Sequence, residues 1–406
     1  MVLKNKFYNI DFNKNINITD NNNNLISKID ETLKNFPGLK ILNDGKLLEE
    51  SINTANNFSK NKKHFLVFGT GGSNLGAKAI IDGLQKNNIT IDFFDNIDPV
   101  RFQNKINNLD LTKLGFIIIS KSGSTPETLS QYLSLIEIFD QKNMKELLFN
   151  NSLIITEDKS SPLTNIANKN NILMVKHSKD IGGRYSIFSN VGMIPASIAG
   201  LNVKEIHAGA LEQINNTNSE DFIKIARFFK FQNIIKDLSS SVVMTYSDSL
   251  LYFGKWYLQL WAESIGKDQK GITPIHSVGT TDQHSQLQLY LDGPRDKFFT
   301  FITTDHADKG FKLNNEIIKE NNIDYLFNKK MGDLMEAEQR ATVDTFVQNK
   351  IPCREIYLST IDEYSIGKLL AFSIQETIAT CLHFEVNPFN QPAVEQGKIL
   401  TKKYLV

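Results

Sequence analysis

Between Phe116 and Ile136 the chain passes through three kinds of sequence. Four apolar residues, Phe116-Ile117-Ile118-Ile119, read as a buried strand. A hydroxyl-rich turn follows, Ser120-Lys121-Ser122-Gly123-Ser124-Thr125-Pro126-Glu127-Thr128, and then an amphipathic run from Leu129 to Ile136 that reads as a helix. Thr125 is an N-cap residue type, and Pro126 fits the first helical position, where a missing N–H costs nothing. Five hydroxyls (Ser120, Ser122, Ser124, Thr125, Thr128) surround the unpaired N–H groups of a helix start. Free donors, the positive end of the helix dipole and short neutral side chains suit an anion such as phosphate. Ordinary capping in a surface turn needs one or two hydroxyls; five with a glycine favour an anion site.

The same order of elements recurs around that stretch. His64 to Phe68 runs into Gly69-Thr70-Gly71-Gly72-Ser73-Asn74-Leu75-Gly76 and then a helical segment from Ala77. Short apolar runs at Ile91–Phe94, Leu153–Ile155 and Ile172–Val175 are separated by helical lengths. Strands alternating with helices predict a doubly wound parallel sheet. Ligands of such sheets sit beyond the carboxyl ends of the strands, where both Gly/Ser-rich turns lie. A dinucleotide fingerprint starting at Gly69 requires glycine at 74, where Asn74 stands. These glycines therefore read as allowing close approach of some other ligand.

A polar helical bridge is expected from about 205 to 240, and a second α/β lobe from Ser241–Tyr246 onward. Further strands are expected at Phe298–Thr303 and Glu355–Leu358, with helices at Phe253–Ile265, Met331–Gln348 and Ile366–Phe384. Gln259 and Glu263 are four residues apart and share a helix face among Trp256, Leu260 and Trp261. A partly desolvated carboxylate there suits a general base, although glutamate more often lies on a solvated flank. Gly182-Gly183-Arg184 places a permanent cation beside accessible backbone. It serves an oxyanion or braces its own loop, and the residues alone leave both open. His284, in the polar stretch Gly279 to Leu289, is a candidate acid/base beside the plain reading of an exposed histidine.

With 45 basic and 45 acidic residues, the chain lacks the charge excess of a protein that works on nucleic acid or acidic membrane. Cys353 and Cys381 offer neither a disulfide framework nor metal spacing and read as buried thiols. Met1 to Asn15 lacks a long apolar core, and no apolar run approaches membrane-spanning length. A soluble, cytoplasmic protein is expected.

Six segments, FGTGGSNLG, ISKSGSTPET, GGRYSIFSNVG, QLWAESIGKD, DQHSQLQLYLDGP and NQPAVEQGK, stand in this order across about residues 65 to 400. In them the chain closely resembles the phosphoglucose isomerase family. The resemblance implies two sugar-isomerase (SIS) α/β domains, each a mainly parallel sheet between helices. Their expected bounds are a helical segment at 1–45, a first domain at 46–205, a second at 206–385, and a C-terminal helix at 386–406 completing the site. It implies reversible isomerisation of glucose-6-phosphate and fructose-6-phosphate through a cis-enediol(ate), in glycolysis and gluconeogenesis, with no cofactor and no metal. The partner is a small sugar phosphate, and the assembly a homodimer with a shared site.

Residue by residue, the resemblance implies that Ser120, Ser122, Thr125 and Thr128 hold the phosphate with the backbone of Lys121. Gly71, Gly72 and Gly183 would line the pocket, and Gln259 and Gln391 would contact the sugar. Glu263 would be the isomerising base and Arg184 the cation facing the enediolate. His284 and Lys398 would assist ring opening, with His284 coming from the neighbouring subunit and oriented by Glu127. Thr70 and Ala393 depart from the family pattern, which touches loop geometry more than chemistry. A non-catalytic sugar-phosphate-binding protein on the same fold would need neither Glu263 nor Lys398.

Overall fold

Two five-stranded sheets frame the computed structural model, which describes residues 3–12, 22–84, 88–216, 221–236 and 238–405. Strand β1 (Leu3–Tyr8) opens the described chain. Strands β2 (His64–Phe68), β3 (Thr90–Phe94), β4 (Leu114–Ile119), β5 (Ser152–Thr156) and β6 (Leu173–Lys176) form the first sheet. Its order is β3-β2-β4-β5-β6, parallel throughout.

The central apolar runs Phe65–Phe68, Phe116–Ile119 and Leu153–Ile155 are buried on both faces, as parallel sheets require, while the edge runs Ile91–Phe94 and Ile172–Val175 are partly exposed. Leu66, Phe68, Phe116 and Ile118 pack with Tyr132, Leu135 and Phe139 of the Pro126–Gln141 helix. Their neighbours Phe65, Val67, Ile117 and Ile119 face the other way, against Val191, Ile194 and Ile198 of the Asn190–Ile198 helix. Strand β2 pairs with β3 on one side and β4 on the other, with Val67 opposite Ile117. The strand order therefore reverses between β2 and β4. The glycine turn leaves β2 and the serine turn leaves β4, side by side at that switch point.

Strands β7 (Ser240–Thr245), β8 (Thr273–Val278), β9 (Lys297–Thr304) and β10 (Cys353–Leu358) form the second sheet together with β1, in the order β1-β10-β9-β7-β8. All pairs are parallel except β1, which runs antiparallel to β10 with Leu3 opposite Leu358. The segment before residue 45 was expected to be helical, and it begins with this strand. Locally LKNKFY carries little strand signal; cross-strand contacts hold it, including Lys6 Nζ to Glu355 at 3.0 Å. Strand β8 was also unforeseen. It is an edge strand holding Pro274, and an edge tolerates proline.

The Leu251–Ile265 helix lies where the two halves meet. Its Phe253, Trp256, Leu260 and Trp261 share one core with Ala77, Ile80 and Ile81 of the Leu75–Leu84 helix and Leu369 and Phe372 of the Glu363–His383 helix. The expected polar bridge is two helices, Val203–Asn215 and Asp221–Lys236, which bury Ile206, Ala210, Phe228 and Phe229 in the same core. Arg354 on β10 forms a buried two-pronged pair with Glu376 at 2.5 and 2.7 Å. The Tyr257 hydroxyl donates to Glu376 at 3.4 Å, tying the Leu251–Ile265 helix to that pair. Cys353 and Cys381 are free and buried, and burial pushes both thiols up to about 12. Among the described residues no helix is long and apolar enough to cross a membrane.

Candidate active site

The serine turn forms because β4 ends at the switch point and a proline-started helix follows. Gly123 takes a positive φ of 67°, and a Cβ there would stand 2.1 Å from Ser161 Oγ, so the turn accepts only glycine at this position. Thr125 is the N-cap residue and Pro126 the first helical residue, as the sequence suggests, but the Thr125 side chain makes no capping bond. Its hydroxyl instead lies 2.8 Å from Ser120 Oγ and 3.5 Å from Ser122 Oγ. Thr128 Oγ1 is buried without a hydrogen-bond partner among the described residues. The N–H groups of Lys121, Ser122, Thr125, Glu127 and Thr128 likewise meet no acceptor among the described residues. Such a cluster of unpaired donors at a helix start is suited to bind an anion. The Lys121 amine points elsewhere, donating to Lys179 O at 2.8 Å and Ile181 O at 3.0 Å.

Beside this turn the glycine turn meets the Gly182–Arg184 turn backbone to backbone. A Cβ on Gly72 would stand 2.0 Å from the Gly183 carbonyl carbon. Gly71 has a positive φ of 53°, and a Cβ there would stand 2.8 Å from Gln259 Nε2. The glycines thus bring two loops and the Gln259 side chain to one place.

Arg184 lies at the centre. Its Nε donates to Ser264 Oγ at 2.8 Å. Its Nη1 donates to Glu263 Oε2 at 3.3 Å and Gln391 Oε1 at 2.6 Å. Its Nη2 donates to the carbonyls of Pro388 at 2.6 Å and Asn390 at 3.3 Å. The Arg184 side chain is 1% exposed and that of Glu263 30% exposed, so the carboxylate opens to solvent while its cation does not. Gln259 Nε2 donates to the other Glu263 oxygen at 3.0 Å, one helical turn away. Lys267 closes the end of this helix through the carbonyls of Glu263 and Ser264 at 2.8 and 2.5 Å. Burial, then the charge of Arg184, lowers its amine.

The strap from Pro388 to Gln391 is held from outside as well. The Tyr185 hydroxyl donates to Pro388 O at 3.0 Å and lies 2.8 Å from Ser264 Oγ. Burial pushes this phenol well above its ordinary value. Phe389 stacks on Phe36 with ring centres 5.0 Å apart, and Phe36 meets Tyr185 edge-on at 4.8 Å.

Two predicted residues stand apart from this cluster. His284 follows the Thr281–Gln283 turn and is exposed. Its loop is tightly held: Asp282 accepts from Val278 N–H and Ser285 Oγ at 2.7 Å each, and Gln283 donates to Thr342 at 2.9 Å. Burial acts to raise the Asp282 carboxyl, but these bonds hold it below its ordinary value. Lys398 lies on the Glu395–Tyr404 helix, which buries no residue, and pairs with Glu395 at 3.2 Å. Among the described residues neither His284 nor Lys398 bonds to Arg184, Gln259 or Glu263. Glu127 is half-buried in the first turn of the Pro126–Gln141 helix. A carboxylate beside a fixed cation, next to an anion-binding turn, can take a proton from a carbon and stabilise the oxyanion that results.

The phosphoglucose isomerase family model matches residues 39–405. The chain belongs to the phosphoglucose isomerase family. It is 34% identical over 342 residues to the glucose-6-phosphate isomerase of Methanocaldococcus jannaschii, covering 83% of this chain and 82% of that one. A hypothetical protein from Thermus thermophilus has a TM-score of 0.85 at 26% identity, covering 94% of this chain and 95% of that one. A glucose-6-phosphate isomerase structure from Chlamydia trachomatis has a TM-score of 0.76 at 21% identity, covering 89% of this chain and 73% of that one; this likeness bears on the fold. The expected sugar-isomerase architecture, mainly parallel sheets flanked by helices, is the one found.

Within this phosphoglucose isomerase fold, four participants have no role assigned from the sequence: Ser264, Tyr185 and the carbonyls of Pro388 and Asn390. Ser264 and Tyr185 lie inside the quoted motifs, one residue from Glu263 and Arg184, and that adjacency was the available signal. The Pro388 and Asn390 carbonyls have no residue-type signature at all, since any residue supplies one.

Proposed function

We propose that this chain, a glucose-6-phosphate isomerase of glycolysis and gluconeogenesis, moves a proton between C2 and C1 of its sugar phosphate through a cis-enediol(ate), with Glu263 as the base. The observation that carries this reading is the Arg184–Glu263 contact of 3.3 Å, with the carboxylate open to solvent and the guanidinium buried behind it. In this reading residues 46–205 supply the phosphate turn and Arg184, residues 206–385 supply Glu263 and Gln259, and residues 386–406 supply Gln391 and Lys398.

Phosphate held by Ser120, Ser122, Thr125, Thr128 and the turn's N–H groups fixes one end of the substrate. That binding energy places the reacting carbons at the carboxylate. Gly71, Gly72 and Gly183 keep the floor free of side chains. Glu263 removes the proton from the carbon next to the carbonyl and returns it to the adjacent carbon. Arg184 meets the negative oxygen that develops, where a preorganised donor counts most. Ring opening before that step falls to His284 and Lys398. The exposed, braced His284 loop supports a homodimer in which His284 of one subunit serves the other's site, oriented there by Glu127. The cytoplasm, where glycolytic sugar phosphates are found, is the compartment that fits. Proton transfer between adjacent carbons needs neither cofactor nor metal in this scheme.

The test is exchange of the C2 deuterium of labelled glucose-6-phosphate with solvent. Glu263→Gln keeps size and most hydrogen bonding but removes the basic lone pair. Substrate should still bind, and exchange should fall by at least ~10²–10⁴-fold, the range for general-base catalysis. Wild-type exchange by the folded Gln variant would remove Glu263 from the role.

A further inference from the structure

We propose that the side-chain oxygen of Gln391 is a displaceable stand-in for the substrate oxyanion on Arg184. The inference rests on the reading above, in which Arg184 meets the developing enediolate oxygen.

A guanidinium has five N–H donors, and in Arg184 all five are engaged: by Ser264, Glu263, Gln391, Pro388 and Asn390. No donor is left over for a substrate oxygen. One of the five acceptors must therefore yield. Ser264 Oγ is buried and also bonded to Tyr185. Pro388 O is a buried main-chain acceptor shared with Tyr185, and Asn390 O is main chain next to Phe389, whose ring is stacked on Phe36. Glu263 is the base and is held from its other oxygen by Gln259. Gln391 differs from all four. Its acceptor is at the end of a flexible side chain on an exposed residue, whereas the exposed Asn390 offers only a main-chain carbonyl, and every described residue from 389 to 405 is exposed. Rotating this side chain away breaks one bond of 2.6 Å and disturbs nothing packed.

The position it would vacate is chemically apt. Gln391 Oε1 and Glu263 Oε2 accept from the same nitrogen, Nη1. A substrate oxygen replacing Gln391 Oε1 would sit on the nitrogen that also meets the base, which brings the carbon bearing that oxygen next to the carboxylate. The exchange trades a bond to a neutral amide for one to an oxygen that gains negative charge during the reaction. The new bond therefore strengthens toward the transition state. Before substrate arrives, the amide spares a buried guanidinium an unpaired donor.

Two probes separate the possibilities: 5-phosphoarabinonate, which presents a carboxylate where the enediolate forms, and glucitol-6-phosphate, which presents no anionic oxygen there. Dissociation constants are measured by calorimetry for the full-length wild type and the Gln391→Leu, Gln391→Glu and Arg184→Lys variants. Gln391→Leu should favour the carboxylate probe over the alcohol by several-fold more than wild type does. Gln391→Glu should weaken the carboxylate probe by about tenfold or more at pH 8, because a fixed carboxylate competes for Arg184. That loss should shrink as pH falls toward the ordinary carboxylate range. A merely structural role for Gln391 would not tie the loss to pH or to the probe's charge. Equal weakening of both probes by both Gln391 variants, with Arg184→Lys still abolishing the carboxylate preference, overturns the stand-in and spares Arg184. A carboxylate preference that survives Arg184→Lys overturns both.

Discussion

Gly72 and Gly183 touch backbone to backbone: a methyl group on Gly72 would stand 2.0 Å from the Gly183 carbonyl carbon and 2.5 Å from the Arg184 nitrogen. Ser186 Oγ donates to the Gly183 carbonyl at 2.7 Å and lies 3.3 Å from that of Gly72. The turn after β2 thus sets where the Arg184 backbone lies. Gly72→Ala must force the two turns apart. It should cost about 1–3 kcal/mol, the range for overpacking a tight contact, and lower kcat/KM as Arg184 shifts. Gly182→Ala is the control, since a Cβ there meets only a Tyr185 ring carbon at 3.7 Å. Urea midpoints and steady-state rates for both variants decide; a Gly72→Ala protein as stable and active as Gly182→Ala refutes the account.

Thr125 occupies the N-cap position of the Pro126–Gln141 helix without making the capping bond. A capping threonine is worth about 0.5–2 kcal/mol, so Thr125→Val should cost less than that in stability. Its hydroxyl belongs to the cluster proposed to hold phosphate, so the double variant Ser122→Ala, Thr125→Val should raise KM strongly. Inhibition by other sugar phosphates should weaken in parallel. Unchanged affinity for every phosphorylated ligand would move the anion site elsewhere.

The legible parts of this chain are those where local pattern and tertiary role coincide. Phe116–Ile119 and Phe65–Phe68 are buried on both faces, so an unbroken apolar run was enough to place them. Strands β1 and β8 are edges, where LKNKFY and the Pro274-containing segment carry polar residues and weak periodicity. Only pairing with distant strands makes them strands. In the site, Arg184, Gln259 and Glu263 were visible because their chemistry is in the side chain and their motifs are compact. The Phe36–Phe389 stack and the Gly72–Gly183 contact join residues hundreds or about a hundred positions apart, and no local spacing encodes them.

His207, buried on the Val203–Asn215 helix, has its imidazole pushed down to about 4, mainly by desolvation; its Nε2 lies 3.1 Å from Phe188 O. The unfolded chain takes up this proton below pH ~6.5, the folded one only near pH 4. Between those values protonation favours unfolding, so stability falls as pH drops through this window. The share from His207 should reach on the order of 2–3 kcal/mol by pH 4. His276, also lowered to about 4 mainly by burial, should contribute in the same direction. Urea midpoints at several pH values should show a shallower decline for His207→Gln than for wild type. Parallel declines would mean that this histidine is not held neutral by the fold.

The exposed His284 on its braced loop leads to a prediction about mixtures. If His284 of one subunit completes the site built around Glu263 of the other, His284→Ala and Glu263→Gln damage different halves of each site. In a mixed dimer, the site with intact Glu263 receives its histidine from the Glu263→Gln subunit and is whole. The other site carries both defects. Random pairing of equal amounts makes about half of the dimers mixed, each with one whole site of two, so roughly a quarter of wild-type activity should return. If His284 serves its own subunit, every site in every dimer lacks one group and mixing restores nothing. The measurement is turnover of fructose-6-phosphate after co-refolding, with the mixed dimer isolated by two different affinity tags. An isolated mixed dimer as inactive as its parents would place His284 in its own subunit's site or outside the chemistry.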